Sequence, residues 1–119
     1  MRDLGCNVDE KISIVVHGWK ESIESEWVPV LIKNLQHYRG GCVMLMDYSA
    51  HSVVLDYFEL LNKFDSIGDI LIRKLLSLEK EGFSPDNFYI FGFSFGAHLA
   101  LYSGITFGDG RIGQIDGKI

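Results

Sequence analysis

The stretch Asn87-Phe88-Tyr89-Ile90-Phe91-Gly92-Phe93-Ser94-Phe95-Gly96-Ala97-His98 joins an apolar run to a glycine-flanked serine and then to a helix-compatible segment. Its first part, Phe88 to Phe91, is continuously apolar and aromatic, as is typical of a strand covered on both faces of its sheet. The residues after the serine, Phe95 to Ile105, favour a helix. This stretch therefore predicts a buried strand, a sharp turn that carries Ser94, and a helix.

The turn fits the G-x-S-x-G pattern of a nucleophile elbow, in which a serine lies at the tip of a strained strand-to-helix connection. A Cβ atom two residues before or after the serine would collide with neighbouring backbone, so this turn requires Gly92 and Gly96. The helix that follows directs its N-terminal N–H groups towards the place where an oxyanion would form. A chain with 13 glycines can contain this pattern by chance. The interpretation of Ser94 as a nucleophile therefore depends also on the strand predicted before it and the helix predicted after it.

The composition is that of an ordinary globular protein, with 119 residues of which 47% are hydrophobic and 23% charged. A net charge of -5 and the absence of a lysine and arginine cluster argue against nucleic-acid binding. No apolar run reaches the length of a transmembrane helix. Residues 1–7 contain no apolar segment typical of a signal peptide, so we expect either a cytosolic protein or a missing N-terminus.

The two cysteines, Cys6 and Cys42, lie at or shortly before predicted strands. Two cysteines are too few for a disulfide framework, and no C-x-x-C spacing indicates zinc. The sequence leaves two alternatives open: a single disulfide bond in an oxidising compartment, or two unrelated buried thiols.

The rest of the chain alternates between predicted strands and helices, separated by glycine, proline and polar turns. Further strands are predicted at 12–17, 42–46 and 111–115. Helices are predicted at 26–38 with Ser25 as N-cap, at 52–62, and at 66–80, and residues 107–110 are predicted to form a loop. This alternation predicts an α/β fold with a mostly parallel sheet and helices on both faces.

Three polar segments lie at the carboxyl ends of predicted strands: His17-Gly18-Trp19, Asp47-Tyr48 and Ser94. In open α/β sheets, ligands bind at this edge. The three segments therefore predict a site around Ser94. Asp47 is interpreted as capping the loop after its strand.

Four motifs together resemble the animal neutral lipases of the pancreatic lipase type, which include insect lipase-like and phospholipase A1-like proteins. The resemblance extends from about Ile12 to Ile119. Val16-His17-Gly18-Trp19 is similar to the family's oxyanion segment, and Met46-Asp47-Tyr48 to its Val-Asp-Trp strand end. Gly92 to His98 resembles its Gly-His-Ser-Leu-Gly-Ala-His elbow. Residues 112–115 resemble the Ile-Gly-Arg-Ile segment before its catalytic aspartate.

The resemblance implies a partial α/β-hydrolase fold and a secreted, extracellular serine hydrolase acting on lipid esters at a lipid–water interface, with no cofactor and no metal. Ser94 would be the nucleophile, and the backbone N–H groups of Trp19 and Phe95 would form the oxyanion hole. Residues 1–119 would form a single partial lipase domain, truncated at both ends. The resemblance does not identify a partner protein, an oligomeric state, or the preferred class of ester.

The sequence departs from the family pattern in two places. Phe93 and Phe95 replace histidine and leucine beside the serine, which changes the pocket wall but removes no catalytic group. When residues 112–115 are aligned with the family's Ile-Gly-Arg-Ile segment, the position of the catalytic aspartate falls on Ile119. Asp116 takes that position only if the alignment is shifted. The catalytic histidine of the family comes later than residue 119, so we expect the fragment to be inactive alone.

The chain contains four histidines, and for each a packed or solvated side chain is expected rather than a general base. They are His17, His37, His51 and His98.

Two other functions stay open. One is a catalytically inactive lipase-like protein that binds lipids or partners. The other is a cytosolic thioesterase, which free Cys6 and Cys42 would favour.

Overall fold

A computed structural model describes residues 6–20, 25–49, 56–108 and 110–118. Its central element is a sheet of parallel strands in the order β2-β1-β3-β4. The strands are β1 (Ile12–Val16), β2 (Cys42–Met46), β3 (Phe88–Phe93) and β4 (Gln114–Lys118). Val16 pairs with Met46 on one side and Gly92 on the other, so the carboxyl ends of these strands lie level.

The helices connect the strands and cover both faces of the sheet. They are α1 (Trp27–Tyr38), α2 (Tyr57–Asn62), α3 (Phe64–Lys80) and α4 (Phe95–Gly108), with a short 3-10 helix at Pro85–Asn87. On one face, Leu35 of α1 packs with Val15 and Tyr89. On the other face, α3 and α4 pack on the larger core, which includes Ile14 and Ile90. The predicted α/β fold with helices on both faces is confirmed.

Successive side chains of a strand point to opposite faces of the sheet, so β1 and β3 each contribute residues to both hydrophobic cores. The even-numbered residues of β1 and β3 face α3 and α4, and the odd-numbered residues face α1. All residues of β1 are buried, whereas those of β2, at the edge of the sheet, are only half-buried. The prediction of a strand at β2 was therefore correct, but the prediction that this strand is buried was wrong, because its residues are only half-buried.

Several predicted boundaries were wrong by a few residues. α1 has Glu26 rather than Ser25 at its N-cap, and α3 begins at Phe64, two residues earlier than predicted. Of the predicted helix at 52–62, residues 52–55 lie outside the described residues. Asp56 caps the part that is described, because the N–H of Glu59 donates to its carboxylate at 2.8 Å.

The last strand begins at Gln114, three residues later than predicted, and α4 continues to Gly108, two residues into the predicted loop. Arg111 explains both differences. Its guanidinium donates to the carbonyl of Phe107 at 3.3 Å, lies over the Phe107 ring and pairs with Glu79. The N–H of Arg111 also donates to the carbonyl of Gly108 at 3.0 Å, so its backbone continues the turn after α4 and does not enter the sheet.

A disulfide bond joins Cys6 to Cys42, across a sequence separation of 36 residues. This decides between the two alternatives that the sequence leaves open. The bond ties the segment before β1 to the edge strand β2, where the N–H of Cys42 also donates to the carbonyl of Lys11 at 2.9 Å.

Removal of this disulfide is expected to lower the free energy of unfolding by about 4 kcal/mol, because a closed loop of this length restricts the unfolded chain. The measurement is urea unfolding of the protein and of a Cys6→Ser/Cys42→Ser variant, each with and without dithiothreitol. Reductant should destabilise the original protein to the level of the variant and leave the variant unchanged. Equal stabilities in all four samples would contradict the expectation.

A polar network crosses the sheet face that α1 covers. The guanidinium of Arg39 donates to the carbonyls of Ile12 at 3.0 Å and Asn87 at 2.8 Å, and lies over the Tyr89 ring. The Tyr89 hydroxyl donates to Asp116 at 2.9 Å. Burial, and then the hydrogen bond to Asp116, raise the pKa of Tyr89 to about 12.

This raised pKa predicts an alkaline loss of stability. An unfolded tyrosine titrates near a pKa of about 10. Because the folded pKa is higher, the contribution of Tyr89 is complete below pH 10 and is lost as the pH rises towards 12. Unfolding of the protein and of Tyr89→Phe should therefore show a stability difference that shrinks over this interval. Exposed Tyr38, replaced by phenylalanine, is the matched control, and a difference for Tyr89 that does not depend on pH would contradict the expectation.

Candidate active site

Ser94 lies in the turn between β3 and α4, as the sequence predicts. Its φ angle is 56°, in the left-handed region that side chains other than glycine rarely adopt. Such a conformation costs about 1–3 kcal/mol and clusters at functional sites. Its N–H donates to the carbonyl of Lys118 at 2.6 Å, which ties the turn to the end of β4.

The glycines on either side of Ser94 are required by close backbone contacts. A Cβ atom on Gly92 would overlap the carbonyl of Gly96, and one on Gly96 would overlap the carbonyls of Val16 and His17. The obstructing atoms belong to the backbone, so they cannot move aside as a flexible side chain can. In the structure, a Cβ atom at either position would therefore collide with neighbouring backbone, as the sequence predicts.

The contact at Gly96 brings the two predicted oxyanion segments together. Trp19 lies two residues after His17, and Phe95 immediately precedes Gly96. Phe95 is the first residue of α4, so its N–H lies outside the hydrogen-bond ladder of the helix. Trp19 packs against the larger core with its ring half-buried. The structure thus places both segments beside Ser94, while their catalytic role stays a prediction.

Tyr48, which the sequence analysis places at the same edge of the sheet, supports the segment at 17–19. Tyr48 is buried, and its ring stacks on the His17 ring at 4.1 Å with an angle of 6° between the planes. The Tyr48 hydroxyl donates to the carbonyl of His17, and its N–H donates to Nε2 of His17 at 3.2 Å. The aromatic residue after Asp47, at the end of a strand beside β1, is the signal that could have predicted this contact.

Asp47 caps the loop after β2, as predicted. Its Oδ1 accepts the N–H of Ser49 at 3.0 Å, and hydrogen bonding by Ser49 is the main reason that the pKa of Asp47 is lowered. The same Oδ1 lies 3.7 Å from Nε2 of His17. Asp47 therefore lies at the edge of the site, where its carboxylate stabilises the loop after β2.

Asp116 lies in the middle of β4, opposite Phe91, and not at the carboxyl end of the strand. Its carboxylate accepts hydrogen bonds from Tyr89 and from Gln114, the latter at 3.0 Å. These bonds hold it on the sheet face that α1 covers. The other predicted position of the aspartate, Ile119, lies outside the described residues.

The remaining histidines differ in their surroundings. His98 is exposed on α4, one turn after Ser94, and His37 is exposed on α1 with an edge-on contact to Tyr38 at 4.6 Å. His51 lies outside the described residues. Among the described histidines, only His17 is buried.

Two open grooves flank the turn at Ser94, one on each face of the sheet. The first has a volume of about 470 Å³ and contains Phe95 in its wall; the other lining residues are Leu61, Asn62, Phe64, Asp65 and His98. The second has a volume of about 570 Å³ and contains Phe93 in its wall; the other lining residues are Trp27, Val30, Leu31, Asn34, Phe91 and Lys118. The two residues that depart from the family elbow therefore line different grooves.

Within the described ranges, no helix combines the length and apolar character needed to cross a bilayer. The same residues contain no group of three or more histidine, cysteine, aspartate or glutamate side chains arranged to hold a metal ion.

Comparisons with known proteins give one consistent result. A family model described as Lipase matches residues 1–118. Lipase member H of Mus musculus is 26% identical over 112 residues, which cover 93% of this chain and 25% of that protein. Pancreatic lipase-related protein 2 of Bos taurus is 27% identical over 118 residues, which cover 98% of this chain and 25% of that protein. The chain thus spans about a quarter of the length of the curated relatives it matches.

Proposed function

Because this chain belongs to the lipase family, we propose that it forms part of a serine hydrolase that cleaves carboxylic esters of lipids, either triacylglycerols or phospholipids. The conformation of Ser94 is the observation that carries this proposal. The serine has a φ of 56° between two glycines that close backbone contacts require. A strained serine at the carboxyl edge of a parallel sheet is the arrangement of an acyl-transfer nucleophile.

In the proposed reaction, Oγ of Ser94 attacks the carbonyl carbon of the ester and displaces the alcohol, and water then hydrolyses the acyl-enzyme. The N–H groups of Trp19 and Phe95 stabilise the oxyanion, and each such donor lowers the activation barrier by about 3 kcal/mol. A general base is needed to take the proton of Ser94. No described histidine fits this role, because His17 is packed against Tyr48, and His37 and His98 are on helix surfaces.

We therefore propose that the chain is one part of a longer lipase domain, whose remaining segment supplies the catalytic aspartate and histidine. The quarter-length match to the relatives supports this, and so does Asp116, whose carboxylate is already held by Tyr89 and Gln114. Sequencing the transcript beyond codon 119 tests it. A reading frame with Asp-Pro-Ala and a later histidine is expected, and a stop codon directly after Ile119 in a translated message would contradict it.

We further propose an extracellular location. The Cys6–Cys42 disulfide supports it, because such bonds are rare in reducing compartments. The same bond counts against the cytosolic thioesterase, which free cysteines would favour.

The activity itself is tested by fatty-acid release from emulsified triacylglycerol and from phospholipid vesicles by the full-length protein. Release from at least one substrate is expected, with faster hydrolysis at a lipid surface than of the same ester in dilute solution. Failure to release fatty acid from either substrate, by a folded protein with both triad partners, would contradict a hydrolytic function.

A second candidate is a catalytically inactive lipase-like protein that binds lipids or partners. The groove between α1 and β3 favours it, because Trp27, Phe91 and Phe93 give that groove an apolar wall. Lipid binding that persists without any ester hydrolysis would support this candidate over the enzyme.

A further inference from the structure

We propose that His17 is a positioning residue, which acts as the neutral Nδ1-protonated imidazole and, with Tyr48, holds the segment 17–19 in place. The two residues are called the His17–Tyr48 pair below. This inference rests on the proposed function, because the held segment carries the proposed oxyanion donor Trp19. It deepens that function by assigning a role to a buried pair that touches no reacting atom.

Two hydrogen bonds determine the tautomer of His17. Nδ1 lies 3.1 Å from the carbonyl oxygen of Gly18, and a carbonyl oxygen can only accept. Nε2 lies 3.2 Å from the backbone nitrogen of Tyr48, and an N–H can only donate. Nδ1 therefore carries the proton, and Nε2 offers its lone pair.

The contact with Asp47 is consistent with this assignment. Oδ1 of Asp47 lies 3.7 Å from Nε2 of His17, beyond the usual length of a hydrogen bond. Because Nε2 already accepts from Tyr48, it presents no proton to the carboxylate. Asp47 bonds to the N–H of Ser49 instead. The charged carboxylate and the neutral imidazole are thus neighbours and not an ion pair.

Two hydrogen bonds and a ring stack lock the pair. Tyr48 donates from its N–H to the His17 ring and from its hydroxyl to the His17 carbonyl, while the two rings stack at 4.1 Å. Only 1% of His17 and 4% of Tyr48 are exposed. The carboxyl ends of β1 and β2 are therefore joined by side-chain contacts in addition to the sheet.

The locked carbonyl of His17 is also the one against which Gly96 packs. The Tyr48 ring lies 6.1 Å from the ring of Phe95, at the start of α4. The pair thus contacts both segments that carry the proposed oxyanion donors. A displacement of about 1 Å in such a site reduces the rate about 100-fold. We therefore expect displacement of the pair to disturb the relative placement of the two segments that carry Trp19 and Phe95.

The tautomer is tested on the full-length protein by long-range 1H–15N NMR of its imidazoles at neutral pH. His17 should show a protonated Nδ1 and a bare Nε2, whereas exposed His37 should show the average of two tautomers. An Nε2-protonated or averaged signal for His17 would overturn the proposal. This reading needs no enzymatic activity, so failure of the proposed hydrolysis would leave it standing.

The positioning role is tested by kinetics of the full-length protein. His17→Phe keeps a flat ring but leaves the N–H of Tyr48 without its acceptor, and kcat is expected to fall about 100-fold with KM unchanged. His17→Gln offers an oxygen near the position of Nε2 and should recover part of the loss. His37→Gln is the control and should have no effect. Equal kcat values for His17→Phe and the original protein would overturn the role while leaving Ser94 hydrolysis intact.

Discussion

Replacement of Ser94 by alanine is expected to reduce ester hydrolysis by the full-length protein about 10⁴- to 10⁶-fold, mainly through kcat. Alanine removes the oxygen that forms the acyl-enzyme, while the backbone at φ 56° and the two flanking glycines are unchanged. The stability of the variant should therefore match that of the original protein. The measurement is the initial rate of fatty-acid release, with unfolding by urea measured in parallel.

Ser77→Ala is the matched control, because Ser77 is exposed on α3 and on the opposite side of that helix from the core. It should retain full activity. Hydrolysis by Ser94→Ala at more than about a tenth of the original rate would show that another group is the nucleophile. Loss of activity in both variants would indicate damage to the fold rather than to the site.

Replacement of Gly96 by alanine is expected to cost at least about 4 kcal/mol of unfolding free energy, or to prevent folding. The new methyl group would overlap the carbonyls of Val16 and His17, which belong to β1 and to the segment that follows it. β1 is paired on both sides and wholly buried, so it cannot shift without breaking the sheet. Urea unfolding measures the loss.

Gly110→Ala separates this collision from an effect of backbone strain alone. Gly110 has a φ of +79°, but a Cβ atom there would have nothing within 4 Å. Its replacement should cost only about 1–2 kcal/mol, from the left-handed backbone conformation. If Gly96→Ala were no more costly than Gly110→Ala, the turn would have more room than the structure indicates.

The elements around Ser94 were predictable because their signals are local. An apolar run followed by glycine, serine and glycine at fixed spacing determines a strand, a turn and a helix within about a dozen residues. The parallel orientation of the strands followed from the alternation of strands and helices. Strand ends in such a sheet lie at one edge, so the grouping of the segments at 17–19 and at Ser94 could also be predicted.

The rest depended on contacts between distant residues. Arg111, which the sequence predicts at the start of the last strand, has its backbone in the turn after α4 and its side chain paired with Glu79 on α3, 32 residues earlier in the chain. The bond from Cys6 to Cys42 could not be distinguished from two thiols before the fold brought them together. The sequence grouped His17 and Tyr48 at one edge of the sheet, but it could not predict their hydrogen bonds and ring stack, because the two residues are 31 positions apart. Long-range pairs of this kind leave no periodic signal.

The central claim is that Ser94 is an acyl-transfer nucleophile, and covalent labelling of the full-length protein by a fluorophosphonate tests it most directly. The reagent phosphonylates an activated serine, and peptide mass spectrometry locates the adduct. We predict a single adduct on the peptide that contains Gly92 to Gly96, at Ser94, and none after its replacement by alanine. A folded full-length protein that remains unlabelled, or that is labelled at another serine, would contradict the claim.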